Sequence, residues 1–348
     1  MVKKGTNTYH EIISQPKVWK KTFNQFTTID TTTWPVGQYF DHVLFIGCGS
    51  TYYLSIWGAR TVQEKKRWFS CPLPASELLI SRDNWFLDRK TNLVIAISRS
   101  GTTSETVKAL KQFKKLGRGD ALSITCYPDS ELTKITGKSI ELHHAQEKSI
   151  AQTRSFTNMM LGVSFFAERT VPTGLPENLS AQLEDLFDRK SKMISNLGRD
   201  TGINRLFFLG SGPRYGLACE AMLKMKEMSN SYSEAYHFME FRHGPMSMVD
   251  ANSLVIGLLG KEDPHLELDV LKDMKGLGAQ ILAIGQPHHV NSQSWIDHII
   301  PITFTGLGIY GDVLYLPLLQ LMAYERSISK GLDPDHPTNL TSVIFVDV

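Results

Sequence analysis

The sequence has few cysteines and no long apolar run. Its 348 residues include four cysteines, which form no CxxC pair: Cys48, Cys71, Cys126 and Cys219. This spacing argues against a zinc site and favours free thiols in a reducing compartment. No window holds the ~18 uncharged apolar residues of a membrane-spanning helix, and the N-terminus lacks the apolar core of a signal peptide. We therefore expect a cytoplasmic protein without a membrane partner.

An excess of charge of one sign is also missing. Lysine and arginine total 37 and aspartate and glutamate 35, so the net charge is +2 and no nucleic-acid partner is expected. The sequence has no G-x-x-x-x-G-K-[ST] motif for a nucleoside triphosphate, and its G-x-G turns lack the third glycine of a dinucleotide fingerprint. No histidine or cysteine cluster has metal-ligand spacing. We expect neither a cofactor nor a metal.

What the chain does contain is an internal repeat. Segments 42–60 (HVLFIGCGSTYYLSIWGAR) and 205–223 (RLFFLGSGPRYGLACEAML) each combine an apolar run, a G-x-G turn and the start of a helix. Two further apolar runs follow each segment in the same order: 93–97 and 121–125 after the first, 254–258 and 281–285 after the second. Apolar runs that alternate with helices predict two tandem doubly wound α/β domains with parallel sheets, each a three-layer α/β/α structure.

The domain limits follow from this repeat. We place an N-terminal helical arm at residues 1–38, the first domain at 39–180, the second at 181–335 and a C-terminal tail at 336–348. Two prolines and a glycine predict a linker at residues 170–182. The remaining pattern predicts helices at three places: residues 105–115, 266–275 and 314–329.

A hydroxyl-rich stretch, SRSGTTSET at residues 98–106, follows the second apolar run of the first copy. Ligands of open parallel sheets bind beyond the carboxyl ends of the strands, where a helix N-terminus attracts anions. Helix capping would explain one or two of these hydroxyls but not six. We predict a site for a single phosphate on a small molecule. The site belongs to the first copy, because the matching place in the second reads GLLGKEDPHLEL.

Several motifs together resemble the sugar isomerase (SIS) domain family: GCGST, PASE, SRSGTTSET, SIAQTRSFT, EAMLKMKEM and EFRHGP. The likeness covers residues 11–340 and is greatest to the isomerase half of glucosamine-6-phosphate synthase and its stand-alone relatives. These relatives are amino-sugar-phosphate deaminase/isomerases and fructosamine-6-phosphate deglycases. The resemblance implies a flavodoxin-like fold and a sugar phosphate as substrate. It implies a set of residues that bind the phosphate and the sugar: Ser98, Arg99, Ser100, Thr103, Ser50, Thr51 and Gln152.

Glu220, Lys224 and Glu227 are spaced to lie on one face of a predicted helix. The spacing alone does not separate a surface salt-bridge ladder from a catalytic group. The resemblance implies that Glu227 moves a proton between C1 and C2 of the sugar, with Lys224 and Glu220 beside it. It also implies that His243, which precedes the turn pair Gly244-Pro245, opens the sugar ring in the site of a neighbouring subunit. A homodimer would then be required for activity.

Two departures from the synthase bear on the reaction. The synthase has a lysine near its C-terminus where this chain reads Thr341-Ser342, and the chain begins directly with the arm, so we expect no glutamine-hydrolysing domain and no internal ammonia source. We therefore expect C1–C2 isomerisation of an amino-sugar 6-phosphate, such as glucosamine-6-phosphate, with release of ammonia or an amine. The alternatives are a plain aldose–ketose isomerase, a fructosamine-6-phosphate deglycase and a sensor that binds a phosphosugar without reacting.

Overall fold

The computed structural model describes residues 4–31, 34, 39–81, 85 and 91–341. Their contacts divide them into two compact units. The first-sheet unit contains the described residues within 17–147 and 154–176, together with Thr341. The second-sheet unit contains the described residues of three stretches: 4–16, 148–153 and 177–340.

The first-sheet unit contains a parallel sheet of five strands in the order β2-β1-β3-β4-β5. The strands are β1 (His42–Gly47), β2 (Ser70–Pro74), β3 (Asn92–Ile97), β4 (Gly119–Thr125) and β5 (Ser139–Glu141). Its helices are α2 (Gln15–Phe26), α3 (Ser50–Lys66), α4 (Ala75–Ile80), α5 (Ser104–Leu116), α6 (Glu131–Thr136) and α7 (Arg154–Glu168).

Alternating side chains of β1 serve the two faces of this sheet. Leu44 and Ile46 belong to a core cluster with residues of α4, α5 and α6. Phe45 points to the other face, where a Cβ added to Gly58 of α3 would lie 3.1 Å from its ring and 3.3 Å from Val163 of α7. Successive residues of a strand point to opposite faces, so a strand buried on both sides has to be apolar throughout.

The second-sheet unit contains a second parallel sheet, in the order β10-β9-β8-β6-β7. The strands are β6 (Arg205–Gly210), β7 (Ser233–Tyr236), β8 (Ser253–Leu258), β9 (Gln280–Gly285) and β10 (His298–Pro301). The helices are α1 (Thr6–Ile13), α8 (Leu175–Arg199), α9 (Arg214–Ser229), α10 (Phe238–Phe241), α11 (His265–Gly276), α12 (Pro287–Val290) and α13 (Pro317–Ser329).

Both faces of the second sheet are covered as well. On one face, residues of α10, α11 and α12 form a core cluster with Phe207, Val255 and Ile281 of the strands. On the other face, α9 packs against β6, β7 and α13. Helices α8 and α13 approach closely at Gly198, where an added Cβ would lie 2.6 Å from the Met322 carbonyl oxygen. This unit therefore also has three layers.

The predicted fold is confirmed. Read in chain order within each copy, both sheets have the strand order 2-1-3-4-5, which is the flavodoxin-like arrangement. The predicted central strands and the three predicted helices are present, and the N-terminal arm contains α1 and α2. None of the helices among the described residues is both long enough and apolar enough to cross a membrane.

The linker prediction is wrong beyond Gly174. Helix α8 begins at Leu175, so residues 175–182 are helical and the domain limit predicted at residue 180 falls inside a helix. Pro176 lies in the first turn, where a missing N–H breaks no intrahelical bond, so its presence does not mark a linker. Within the predicted C-terminal tail, positions from Ser342 onward lie outside the described residues.

Candidate active site

The hydroxyl-rich loop connects β3 to α5. Ser98 Oγ lies 3.0 Å from Thr103 Oγ1 and accepts the Gly101 N–H at 3.1 Å. The hydroxyls of Ser98 and Thr103 therefore lie within hydrogen-bond distance of each other. Ser100 Oγ accepts the N–H of Thr102 at 3.2 Å and its hydroxyl at 3.0 Å. These bonds order the loop at the carboxyl edge of the sheet, the edge at which open parallel sheets bind ligands.

Helix capping does not account for these hydroxyls. Thr103 stands at the N-cap position of α5, yet its side chain makes no capping hydrogen bond. The next helix of the same unit is capped in the ordinary way, since Ser130 accepts the Thr133 N–H at the start of α6. The N-terminus of α5, with the positive end of its dipole, thus fits an anion better than it fits a side-chain cap.

Position 101 requires glycine. Gly101 has a φ of +67°, and a Cβ added there would lie 2.1 Å from Ser130 Oγ. The neighbouring backbone cannot easily yield, because the Gly101 carbonyl accepts the Leu132 N–H at 3.0 Å. A larger residue would therefore displace the loop rather than only strain one dihedral angle.

Arg99 is buried and pairs with a buried carboxylate. Its Nη1 lies 3.6 Å from Oε2 of Glu147, which also accepts the hydroxyl of Ser155. The Arg99 carbonyl accepts the Cys126 N–H and the Thr125 hydroxyl, each at 3.0 Å. Because the Glu147 carboxylate compensates the charge of Arg99, Arg99 is better suited to holding the loop than to contacting a phosphate directly.

Ser50 and Thr51 begin α3, directly after the G-x-G turn, and both are buried. Thr51 Oγ1 accepts the Cys48 N–H at 2.9 Å and donates to the Cys48 carbonyl at 3.0 Å. The hydroxyl of Thr51 therefore orders the turn. The sugar contacts of Ser50 and Thr51 stay a prediction.

In the second-sheet unit, the position that corresponds to the hydroxyl-rich loop is occupied by an ion pair between Arg214 and Glu267. Arg214 aligns with Thr51, and its guanidinium donates to the Leu258 carbonyl and to Oε1 of Glu267, each at 3.1 Å. Oε2 of Glu267 accepts the Gly260 N–H at 2.6 Å. The Glu267 carboxylate thus accepts hydrogen bonds from both the Gly260 N–H, which follows β8, and the Arg214 guanidinium. This gives a physical reason to expect an anion site in the first copy rather than in the second.

Glu220, Lys224 and Glu227 lie on one face of α9. Lys224 is fully buried, its Nζ lies 3.3 Å from Oε1 of Glu220, and it donates to Oε2 of Glu227. Burial lowers the pKa of Lys224, but the two carboxylates outweigh burial and raise that pKa above its ordinary value of 10.5. Glu220 is also fully buried, whereas the Glu227 side chain is 20% exposed. The cluster is therefore not a surface ladder, and Glu227 is its exposed end.

His243 lies in the turn after α10 and is exposed. Its backbone N–H donates to the Glu240 carbonyl at 3.0 Å, Gly244 has a φ of +122°, and Pro245 begins a 3-10 turn. An exposed imidazole on a defined turn is accessible to another molecule.

Gln152 groups with the second-sheet unit, although its sequence position is within the predicted first domain. Its Oε1 is buried and has no hydrogen-bond partner among the described residues. Leaving a buried acceptor without a donor costs about 1–3 kcal/mol. A donor on a bound molecule would remove that cost.

The predicted site residues therefore fall into two groups. Those in the first-sheet unit are the loop and turn residues Ser50, Thr51, Ser98, Arg99, Ser100 and Thr103. Those in the second-sheet unit are Gln152, Glu220, Lys224, Glu227 and His243.

Three residues that shape these places were missed from the sequence. Glu267 has a recognisable signal, an acidic residue in the first turn of a helix that follows a strand. Arg214 had one too, since the repeat aligns it with Thr51. Glu147 has no signal in the sequence beyond its position just before the SIAQ motif, because its burial depends on tertiary packing.

Comparison with known proteins identifies the family. The family model described as SIS domain matches residues 40–169 and 201–302, which is more than half of the chain. The chain belongs to the SIS domain family.

Relatives by sequence include glutamine–fructose-6-phosphate aminotransferases (isomerizing). The protein of Caldanaerobacter subterraneus is 25% identical over 88% of this chain and 52% of its own length. That of Sulfolobus acidocaldarius is 28% identical over 88% of this chain and 50% of its own length. The chain thus spans about half the length of these curated relatives.

Solved structures agree with the fold. A glucosamine-6-phosphate deaminase from Thermotoga maritima matches with a TM-score of 0.81 and 26% identity, over 97% of this chain and 99% of that one. A tagatose-6-phosphate ketose/aldose isomerase from Escherichia coli matches with a TM-score of 0.85 and 20% identity, over 97% and 98% of the two chains. The second likeness concerns the fold alone.

Replacement of Gly101 by alanine tests the phosphate prediction. Because the new Cβ would displace the loop, we expect Gly101→Ala to weaken binding of fructose 6-phosphate at least about tenfold by calorimetry, a loss of ~1.4 kcal/mol. Gly117→Ala is the matched control. Gly117 follows the same helix with a φ of +62°, but an added Cβ meets nothing within 4 Å. Equal affinity in the two variants would contradict the assignment of the phosphate to this loop.

Proposed function

We propose that the protein converts an amino-sugar 6-phosphate, such as glucosamine-6-phosphate, into a ketose 6-phosphate and releases ammonia or an amine. Glu227 is the proton-transferring base, and Lys224 and Glu220 hold it in place. Ser98, Ser100 and Thr103 bind the phosphate. Gln152, Ser50 and Thr51 contact the sugar, and Arg99 holds the loop.

The observation that carries this proposal is the charge cluster on α9. A lysine and a glutamate buried in a helix are expensive in free energy, and such a pair adds little to stability compared with apolar residues. Here the buried ammonium donates to Glu227, whose carboxylate reaches partly exposed surface. A carboxylate with one oxygen fixed and its side chain partly exposed is suited to proton transfer.

Names of the relatives support the substrate class. The sequence relatives described above are named for fructose 6-phosphate, and a structural relative with 26% identity is named a glucosamine-6-phosphate deaminase. All of these names specify a six-carbon sugar with a 6-phosphate. The hydroxyl-rich loop, ordered by its own hydrogen bonds at a helix N-terminus, suits that phosphate.

The reaction proceeds on the open-chain aldose. Glu227 removes the proton from C2, which gives an enolamine, and returns a proton to C1, which gives an imine at C2. One water molecule then adds to the imine carbon and ammonia leaves, so that amino-sugar phosphate and water become ketose phosphate and ammonia. A positioned carboxylate contributes about 10²–10⁴-fold to such a proton transfer.

His243 opens the sugar ring in this scheme and acts in the site of a second subunit. A neutral imidazole can take the proton from the C1 hydroxyl and give one to the ring oxygen. Its exposure on a defined turn supports this role. The active form would then be a homodimer.

Replacing Glu227 tests the proposed base. We expect Glu227→Gln to lower turnover about 10²–10⁴-fold while the affinity for fructose 6-phosphate changes by less than about threefold. The assay follows ammonia and ketose phosphate from glucosamine-6-phosphate, galactosamine-6-phosphate, fructosamine-6-phosphate and glucose 6-phosphate. Glu184→Gln, an exposed carboxylate on α8, is the control and should keep full activity.

Each outcome of that panel has one meaning. Nitrogen release with ketose phosphate supports the proposal and identifies the sugar. Ketose phosphate from glucose 6-phosphate alone would indicate a plain isomerase. Binding without turnover in the wild type would indicate a sensor, and unchanged turnover in Glu227→Gln would eliminate Glu227 as the base.

Mixed dimers test the role of His243 in a neighbouring site. Glu227→Gln and His243→Ala proteins, each inactive alone, are unfolded together and refolded at a 1:1 ratio. If His243 acts across subunits, each heterodimer has one complete site, and the mixture should recover about a quarter of the wild-type rate. No recovery from a mixture shown to contain heterodimers would place His243 in its own subunit's site, whereas a His243→Ala protein that is active alone would place it outside the reaction.

A further inference from the structure

Glu11 is a buried acidic residue to which the proposed mechanism gives no role. It lies on α1 within the second-sheet unit and is 2% exposed. A carboxylate in such a place is costly unless donors surround it. The donors identify what Glu11 does in the fold.

Those donors come from the segment that carries Gln152. Oε1 of Glu11 accepts the Lys148 N–H at 2.6 Å and the Ser149 N–H at 3.4 Å. Oε2 accepts the hydroxyl of Ser149. Glu11 therefore binds two successive backbone amides and a side chain at the start of segment 148–153. Hydrogen bonds to an ionised acceptor are stronger than neutral ones, so this end of the segment is firmly held.

The rest of the segment is fixed by weaker, neutral bonds. The Ile150 N–H donates to the Asp335 carbonyl at 3.3 Å, and Gln320 Nε2 donates to the Thr153 carbonyl at 3.2 Å. The backbone on both sides of Gln152 is thus defined although it forms neither helix nor strand. Among these contacts, Glu11 supplies the charge-assisted ones.

Gln152 is the residue of this segment that still has an unused acceptor. Its Oε1 is buried and lacks a partner among the described residues, whereas Ser149 and the Thr153 carbonyl are satisfied within the protein. The direction of Oε1 depends on the backbone that Glu11 fixes three residues earlier. A shift of that backbone would move an acceptor that the fold itself does not use.

We propose that Glu11 is a positioning residue that acts through Gln152, holding its Oε1 ready to accept a hydrogen bond from a hydroxyl or amino group of the sugar. This inference rests on the proposed function. It adds a residue of the N-terminal arm to the determinants of substrate affinity. Glu11 itself does not touch the substrate.

The test is a double-mutant cycle with Glu11→Gln and Gln152→Leu. Each single variant should raise the KM of the turned-over sugar phosphate, and the Kd of fructose 6-phosphate by calorimetry, about tenfold. That is the effect of one lost hydrogen bond of ~1.4 kcal/mol. If Glu11 acts through Gln152, the double variant should be no worse than Gln152→Leu alone. Effects that multiply to about a hundredfold would overturn the proposal.

Thr8→Val is the matched structural control. Thr8 is a buried residue of α1, like Glu11, and its hydroxyl donates to Oδ1 of Asp335 at 2.7 Å. We expect it to lower the melting temperature at least as much as Glu11→Gln while KM changes less than about twofold. An equal rise in KM would show that Glu11 matters only through the stability of the arm, and would overturn the proposal.

Two further measurements keep the outcomes distinct. Ser149→Ala removes one donor to Glu11 and should raise KM and the Kd of fructose 6-phosphate about twofold to threefold. This variant tests the proposal even if Glu11→Gln does not fold. Wild-type binding of fructose 6-phosphate without turnover would overturn the proposed reaction but leave the cycle measurable through Kd. A wild-type protein that neither binds nor converts any sugar phosphate would overturn both.

Discussion

The proposed site depends on the ion pairs that the buried ammonium of Lys224 makes with Glu220 and Glu227. This ammonium lies inside α9 without exposure and is balanced by carboxylates one turn away in both directions along the helix. Packing of α9 between β6 and α13 provides the burial, and the two carboxylates keep the charge. As a result, Glu227 has a fixed oxygen and a partly exposed side chain, both of which suit the proton transfer proposed for it.

Duplication of one fold with divergence at its loops explains why the two copies differ. Equivalent backbone follows β3 and β8: the Ser98 N–H donates to the Ile124 carbonyl, and the Leu259 N–H donates to the Ile284 carbonyl. In the first copy hydroxyls order the loop without adding charge to it. In the second copy Glu267 accepts the backbone donor itself. The same helix N-terminus is therefore suited to an outside anion in one copy and satisfied internally in the other.

The sequence predicted the centre of each sheet better than its edges. Strands β1 and β3 are buried at every position, and each of the central strands contains a continuous run that is mainly apolar, which is the pattern of a strand covered on both faces. The missed strands β2, β5, β7 and β10 are all edge strands of three to five residues, two of which contain proline. The α9 cluster followed from helical spacing. The role of Glu11 did not, because its partners lie about 140 positions away and only tertiary structure brings them together.

The most direct test of the central claim is solvent isotope incorporation during turnover of glucosamine-6-phosphate in D₂O, followed by NMR at C1 of the ketose product. Transfer of the proton by Glu227, whose side chain is 20% exposed, predicts that part of the product carries deuterium at C1 and that Glu227→Gln forms almost none of this product. Product without deuterium would contradict transfer through a carboxylate that exchanges its proton with solvent, and would favour direct hydride transfer from C2 to C1. Undiminished incorporation in Glu227→Gln would equally contradict the account.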